Sequence, residues 1–200
     1  MTPRPIVILN RGHGQKEPGS RFAPGATHDH LREGDLVARY FDAVQRLLVG
    51  SGVVVHRINT GSYPNRDNRV AQIARVNSGV PVIHVLGHVN SAIRPGSQGI
   101  VFADSRSQQG PIVARAIAAQ LRSLPELTRV LEIGTERNDQ WRRVRYVLDP
   151  TYRAPANCYG VLLEPGFINS PSHAPLWTAA GLERLGTAIG EGIHQYLNGS

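Results

Sequence analysis

The chain has 200 residues and a mass of 21.8 kDa, and 40 % of its residues are hydrophobic. That is enough for one ordinary core and too much for a disordered chain. No apolar run approaches the roughly 18 residues that span a bilayer, and the single cysteine, Cys158, excludes both a disulfide framework and a zinc site built from several thiolates.

The net charge is +7, and 21 of the 22 basic residues are arginine, with Lys16 the one lysine. Such a balance favours polyanions, or else only maintains solubility. The arginines are scattered, Arg142, Arg143 and Arg145 forming the tightest group. No paired Cys/His finger or aromatic-basic strand accompanies them, so a nucleic-acid partner is not expected. The first ten residues hold a four-residue apolar run and no small-residue cleavage site, so no secretory signal is expected there.

Taken in chain order, strand and helix patterns alternate. Ile6–Leu9 follows two prolines and reads as a first strand. Residues 11–32 are polar, rich in Gly and Pro, and hold three histidines, which predicts a long functional loop. Val37, Tyr40, Phe41, Val44, Leu47 and Leu48 recur at helical spacing up to Gly50 and Gly52. Val53–His56 reads as a second strand, and Val70, Ile73, Ala74 and Asn77 as a helix stopped by Gly79 and Pro81. Val82–Leu86 is apolar on both faces, as a central strand is, and Ile100–Ala103 reads as a fourth strand.

A helix is expected on Ile112, Val113, Ala116, Ile117 and Leu121. Two strands are expected near Val130–Ile133 and Val144–Leu148 within an irregular stretch. Val161–Glu164 reads as a last buried strand, and Leu182, Leu185, Ile189, Ile193, Tyr196 and Leu197 mark a C-terminal amphipathic helix. The order predicts an α/β fold: a single three-layer domain over residues 1–200, with a mostly parallel twisted sheet and helices on both faces. No repeat or linker interrupts it.

In such sheets ligands bind beyond the carboxyl ends of the strands, and four polar residues fall there. His13 lies in Gly12-His13-Gly14 after the first strand, where flanking glycines allow a tight bend; it could equally cap a turn. His88 follows the central strand, as a ligand or a hydrogen-bonded edge residue. His84, four residues earlier on that strand, is deeper among apolar neighbours and reads as a core residue or one that supports a ligand from behind. Glu33 precedes Val37, Tyr40 and Val44 in the phase of the buried stripe. A carboxylate aimed inward needs a partner, which a metal would supply; a frayed first turn is the alternative. Glu164 ends an apolar strand, where it could act as a general base or stabilise the following turn.

Two histidines and a carboxylate are the ligand set of many catalytic zinc sites, which leave one position for water. Other constellations are weaker. Ser97 sits in no Gly-x-Ser-x-Gly elbow, Cys158 reads as a buried packer, and His28-Asp29-His30 could offer ligands from the loop.

Taken together, the strand into Gly12-His13-Gly14, Glu33 at a helix start, His88-Val89-Asn90 at a strand end, and Glu164-Pro165-Gly166-Phe167 followed by Asn169 resemble the zinc-dependent N-acetylmuramoyl-L-alanine amidases of the Amidase_3 type. The chain departs from that pattern at Asn10-Arg11, where the family usually has Asp-Pro, and at Leu86, where it usually has Ser. The resemblance implies that His13, Glu33 and His88 hold Zn2+ and that Glu164 is the catalytic glutamate. It also implies a peptidoglycan substrate, with the amide between N-acetylmuramic acid and L-alanine as the bond cleaved. Anionic wall polymers are possible further partners, and no membrane span is expected. The expected setting is a monomeric phage endolysin in the host cytoplasm before its release to the wall, or a domain of a longer secreted enzyme. The alternatives are another zinc amidohydrolase or carboxypeptidase acting on peptides, and a degenerate wall-binding domain.

Overall fold

The computed structural model describes residues 4–15, 22–59, 63–103, 107–134 and 156–199. The expected strand at Val144–Leu148 and the arginine group 142–145 lie outside the described residues. Strand β1 (Ile6–Arg11) leads into two small antiparallel pairs, β2 (Gly14–Gln15) with β3 (Phe22–Ala23) and β4 (Thr27–His28) with β5 (Leu31–Arg32). The loop expected over residues 11–32 is thus partly hairpinned. Helix α1 (Glu33–Gly50), strand β6 (Val54–Ile58), helix α2 (Tyr63–Val76), strand β7 (Val82–Gly87) and strand β8 (Gln98–Ala103) follow. Then come helix α3 (Gly110–Leu121), strand β9 (Arg129–Gly134), strand β10 (Cys158–Glu164), a 3-10 turn (Pro171–Trp177) and helix α4 (Ala179–Leu197).

Six strands form one sheet in the order β6-β1-β7-β10-β8-β9. β6, β1, β7 and β10 are mutually parallel, β8 runs antiparallel to β10, and β9 is parallel to β8. The mostly parallel sheet is as expected. Its alternating side chains feed two cores, because successive residues of a strand face opposite sides. Val7, Leu9, Ile83, Val85, Val161 and Leu163 pack with the buried stripes of α1, α3 and α4 on one face. Ile6, Ile8, Val82 and Cys158 pack with Val70 and Ala74 of α2 on the other. This makes three layers in one α/β domain.

The helix layer needs small residues where its members meet. A Cβ on Gly186 of α4 would strike the Tyr40 carbonyl and come within 2.6 Å of the Ala43 methyl of α1. The helix expected on Ile112 to Leu121 is α3, in which Ile112 is 45 % exposed. Its buried stripe is Val113, Ala114, Ile117, Ala118 and Leu121. The helix is apolar around most of its circumference, so composition leaves its phase undetermined. Among the described residues, no helix is long and apolar enough to cross a membrane.

Candidate metal and catalytic site

Three of the expected site residues converge at the carboxyl edge of β1 and β7. Glu33 is the first residue of α1 and is only 3 % exposed. The two leading amides of that helix would lack partners, and the chain before it supplies them: Glu33 N–H donates to the Ala26 carbonyl (2.9 Å) and Gly34 N–H to the Pro24 carbonyl (2.8 Å). The Glu33 carboxylate reciprocates, its Oε2 accepting from Ala26 N–H at 2.7 Å and its Oε1 from Val89 N–H at 3.0 Å. It therefore faces inward, as its phase in the apolar stripe predicts.

Both histidines face that carboxylate. His88 lies one residue past β7 with Nδ1 2.8 Å from Glu33 Oε1, and His13 brings Nε2 to 3.6 Å from Glu33 Oε2. Their rings stand edge to face, 5.0 Å apart at 86°. One ligand atom from each of the three residues lies within 4.8 Å of the others, and among the described residues this is the one such cluster of potential metal ligands. Two glycines leave the room. A Cβ on Gly12 would strike the His88 ring, and one on Gly25 would strike Glu33 Oε2 and come within 2.7 Å of His13 Cδ2. A buried carboxylate between two imidazoles in a cradle closed by glycine hydrogens fits a divalent cation with N/O preference.

Electrostatics follow the geometry. Burial pushes the Glu33 carboxyl up, but the hydrogen bond and charge of His88, the charge of His13 and the Ala26 amide outweigh it and hold it below the usual range. Glu164, at the end of β10, goes the other way. Burial raises it, His88 partly offsets the rise, and the nearby Glu33 carboxylate adds to it. Its neighbour Leu163 accepts a hydrogen bond from His88 N–H at 2.9 Å, so Glu164 stands beside the cluster. Further bonds join the loops after β7 and β10: Asn90 N–H to the Gly166 carbonyl (2.9 Å), Ile168 N–H to the Asn90 carbonyl (2.8 Å), and Asn169 Nδ2 to the Ala92 carbonyl (2.7 Å).

The remaining candidates fall elsewhere. His84 is fully buried, and its Nε2 meets Asn10 Nδ2 at 3.1 Å. His28, Asp29 and His30 are exposed at the turn of the β4–β5 hairpin, outside the cluster. Ser97 is engaged by Thr128, whose hydroxyl meets both its Oγ (2.9 Å) and its carbonyl (3.1 Å). Cys158 is buried and its thiol is pushed up to about 12 by that burial, as suits a packing residue.

Two contributors escaped the sequence reading. Tyr40, read only as part of the apolar stripe, donates its hydroxyl to the His88 carbonyl at 3.2 Å. The signal was its hydroxyl at a fully buried position, since such a group finds a partner. His173, in the 3-10 turn, accepts from Phe167 N–H at 2.9 Å and so steadies the chain just after Glu164; nothing in its local sequence marks it.

The profile of the Amidase_3 family, N-acetylmuramoyl-L-alanine amidase, matches residues 7–195. No curated protein sequence matches the chain. Its fold is similar to that of Cwp6 from Clostridium difficile (19 % identity, TM-score 0.75), covering 98 % of this chain but 30 % of that one. It is also similar to N-acetylmuramoyl-L-alanine amidase AmiC2 of Nostoc punctiforme (18 %, 0.72, 99 % of both chains). The catalytic domain of the CD27L endolysin targeting Clostridia Difficile is a further neighbour (19 %, 0.66, 96 % of this chain and 98 % of that one). With nearly the whole chain matched by the profile, the protein belongs to the Amidase_3 family of hydrolases, the N-acetylmuramoyl-L-alanine amidases.

Proposed function

We propose that the chain is a zinc-dependent peptidoglycan hydrolase that cleaves the amide between the lactyl group of N-acetylmuramic acid and L-alanine of the stem peptide. The observation that carries this reading is the convergence of His13, Glu33 and His88, each donor within 4.8 Å of the others, beside the half-buried Glu164. The three would hold Zn2+, which when bound polarises a carbonyl and lowers the pKa of its water.

Glu164 is the general base and then the general acid. It accepts a proton from the attacking water and returns it to the departing L-alanine amine as the C–N bond breaks. Burial suits it to the first step, because a carboxylate whose carboxyl is raised above the usual range takes up a proton more readily than an exposed one. Tyr40 and the bonds between the loops after β7 and β10 keep His88 and Glu164 at a fixed separation. The net charge of +7 suits an anionic wall, and a lytic role in an endolysin setting agrees with that charge.

The test is mass spectrometry of the products released from purified peptidoglycan. Stem peptides with a free L-alanine amine, alongside glycan retaining its lactyl acid, are expected; cleavage within the peptide would overturn the reading. Glu164→Gln should lower turnover by about 10²–10⁴-fold while stoichiometric zinc binding persists. Unimpaired turnover would remove Glu164 from the mechanism.

A further inference from the structure

Beneath the residues that lead to His13 lies a buried polar cluster made of residues other than the three candidate ligands. Asn10, Arg66 and His84 are 2 %, 5 % and 0 % exposed. Asn10 and His84 belong to β1 and β7 on the α2 face of the sheet, and Arg66 reaches them from the first turns of α2. Its Nη1 donates to the carbonyls of Arg11 and of Gly12, the latter at 3.0 Å, and lies 3.5 Å from Asn10 Oδ1. These two carbonyls belong to the two residues before His13.

The chemistry of the cluster is directional. A guanidinium can only donate, so Asn10 turns its oxygen to Arg66 and its Nδ2 to His84, which accepts on Nε2. Burying a guanidinium is costly unless its donors are used, and here Nη1 spends its hydrogens on the backbone leaving β1. Gly12 N–H is already bonded to the Gly87 carbonyl at 3.0 Å. With both its donor and its acceptor fixed, Gly12 leaves the His13 backbone little freedom. Arg66 thus sits on the opposite side of the sheet from α1, which carries Glu33, and braces the other arm of the same cluster.

We propose that Arg66 is a positioning residue that presets the Gly12-His13 segment, so that His13 is held ready for the cation before any cation arrives. The inference rests on the metal-site reading given above. It extends that reading to a residue of α2, on the opposite face of the sheet from α1.

The test uses the full chain, zinc alone as the probe, and two readouts. In the metal-free protein, amide hydrogen exchange over residues 11–15 should rise in Arg66→Met, with exchange in β7 and α4 unchanged. Calorimetric titration with zinc should then show binding about 10–100-fold weaker than in the unsubstituted protein. Arg66→Lys should recover part of both, because one nitrogen makes all three contacts; it also carries the test if the methionine variant does not fold. Wild-type zinc affinity in Arg66→Met, or unchanged exchange at 11–15, would overturn the proposal. So would a uniform rise in exchange, the mark of a merely structural role. His13→Ala is the control. If the unsubstituted protein and His13→Ala take up equally little zinc, the metal-site reading fails, while the exchange arm still decides whether Arg66 holds the loop.

Discussion

Gly25 and Gly52 make a matched pair for testing how much the cradle matters. Both have left-handed backbones, with φ of +76° and +83°, so Ala at either should cost about 1–2 kcal/mol in backbone strain. Their surroundings differ. A Cβ at Gly52 meets nothing within 4 Å, whereas one at Gly25 meets Glu33 Oε2 and lies 2.7 Å from His13 Cδ2. Ordinary contact begins at 3.4 Å, so the His13 ring or the loop must yield by about 0.7 Å. Metal–ligand distances tolerate only about 0.2 Å. Gly52→Ala should therefore lower stability in urea by about 1–2 kcal/mol and leave zinc affinity untouched. Gly25→Ala should lower stability by that amount or more, the overpacking adding about 1–3 kcal/mol where the loop cannot yield, and should weaken zinc binding at least tenfold. Equal zinc affinity in the two variants would refute the claim that Gly25 shapes the cation site.

Three further outcomes are expected. Gly186→Ala should destabilise the fold by about 1–3 kcal/mol through overpacking against Tyr40 and Ala43, measured by urea unfolding; a neutral result would mean that α1 and α4 can part without penalty. His84 is held down to about 4, by burial first and by Arg66 second, against an unfolded value near 6.5. The unfolded chain therefore takes up that proton first, and stability is full above about pH 6.5 and falls by about 3 kcal/mol as pH drops toward 4. His84→Gln should flatten this slope in pH-dependent unfolding, and an unchanged slope would remove His84 as its source. Finally, if the +7 charge guides the protein to an anionic wall, lysis of intact walls should fall as salt rises while cleavage of a small soluble muropeptide stays level; parallel responses would deny the charge that role.

The features that could be read from the sequence were those governed by local periodicity. Val37, Tyr40, Phe41, Val44 and Leu48 all face the core as their spacing predicts, and Val82–Leu86 is buried on both faces as a central strand should be. The features that could not be read depend on partners distant in sequence. β2 to β5 are two-residue strands defined by single pairings, with no room for alternation to show itself. The reversal of β8 against β10 is set by a pairing between segments distant in sequence, which residue types do not encode. The 3-10 turn from Pro171 to Trp177 contains two prolines and shows no apolar periodicity, and its His173 bonds to Phe167.

The same division runs through the site. Glu33 could be picked out because an acid in the phase of an apolar stripe contradicts its surroundings, and a contradiction of that kind demands a partner. Arg66 carried no such mark. On a polar helix rich in arginine it looks like any solvated side chain, and its role arises only because the carbonyls of Arg11 and Gly12 converge on it once β1 has paired with β7. Ligands declare themselves by chemistry that does not fit their position, whereas the residues that position them are chemically ordinary and become visible only through geometry. The candidate cation site is therefore a property of the assembled sheet edge. His13, Glu33 and His88 come from three separate elements, and the pairing of β1 with β7, the docking of α1 and the reach of Arg66 must all be in place before the three donors lie within one ion's grasp.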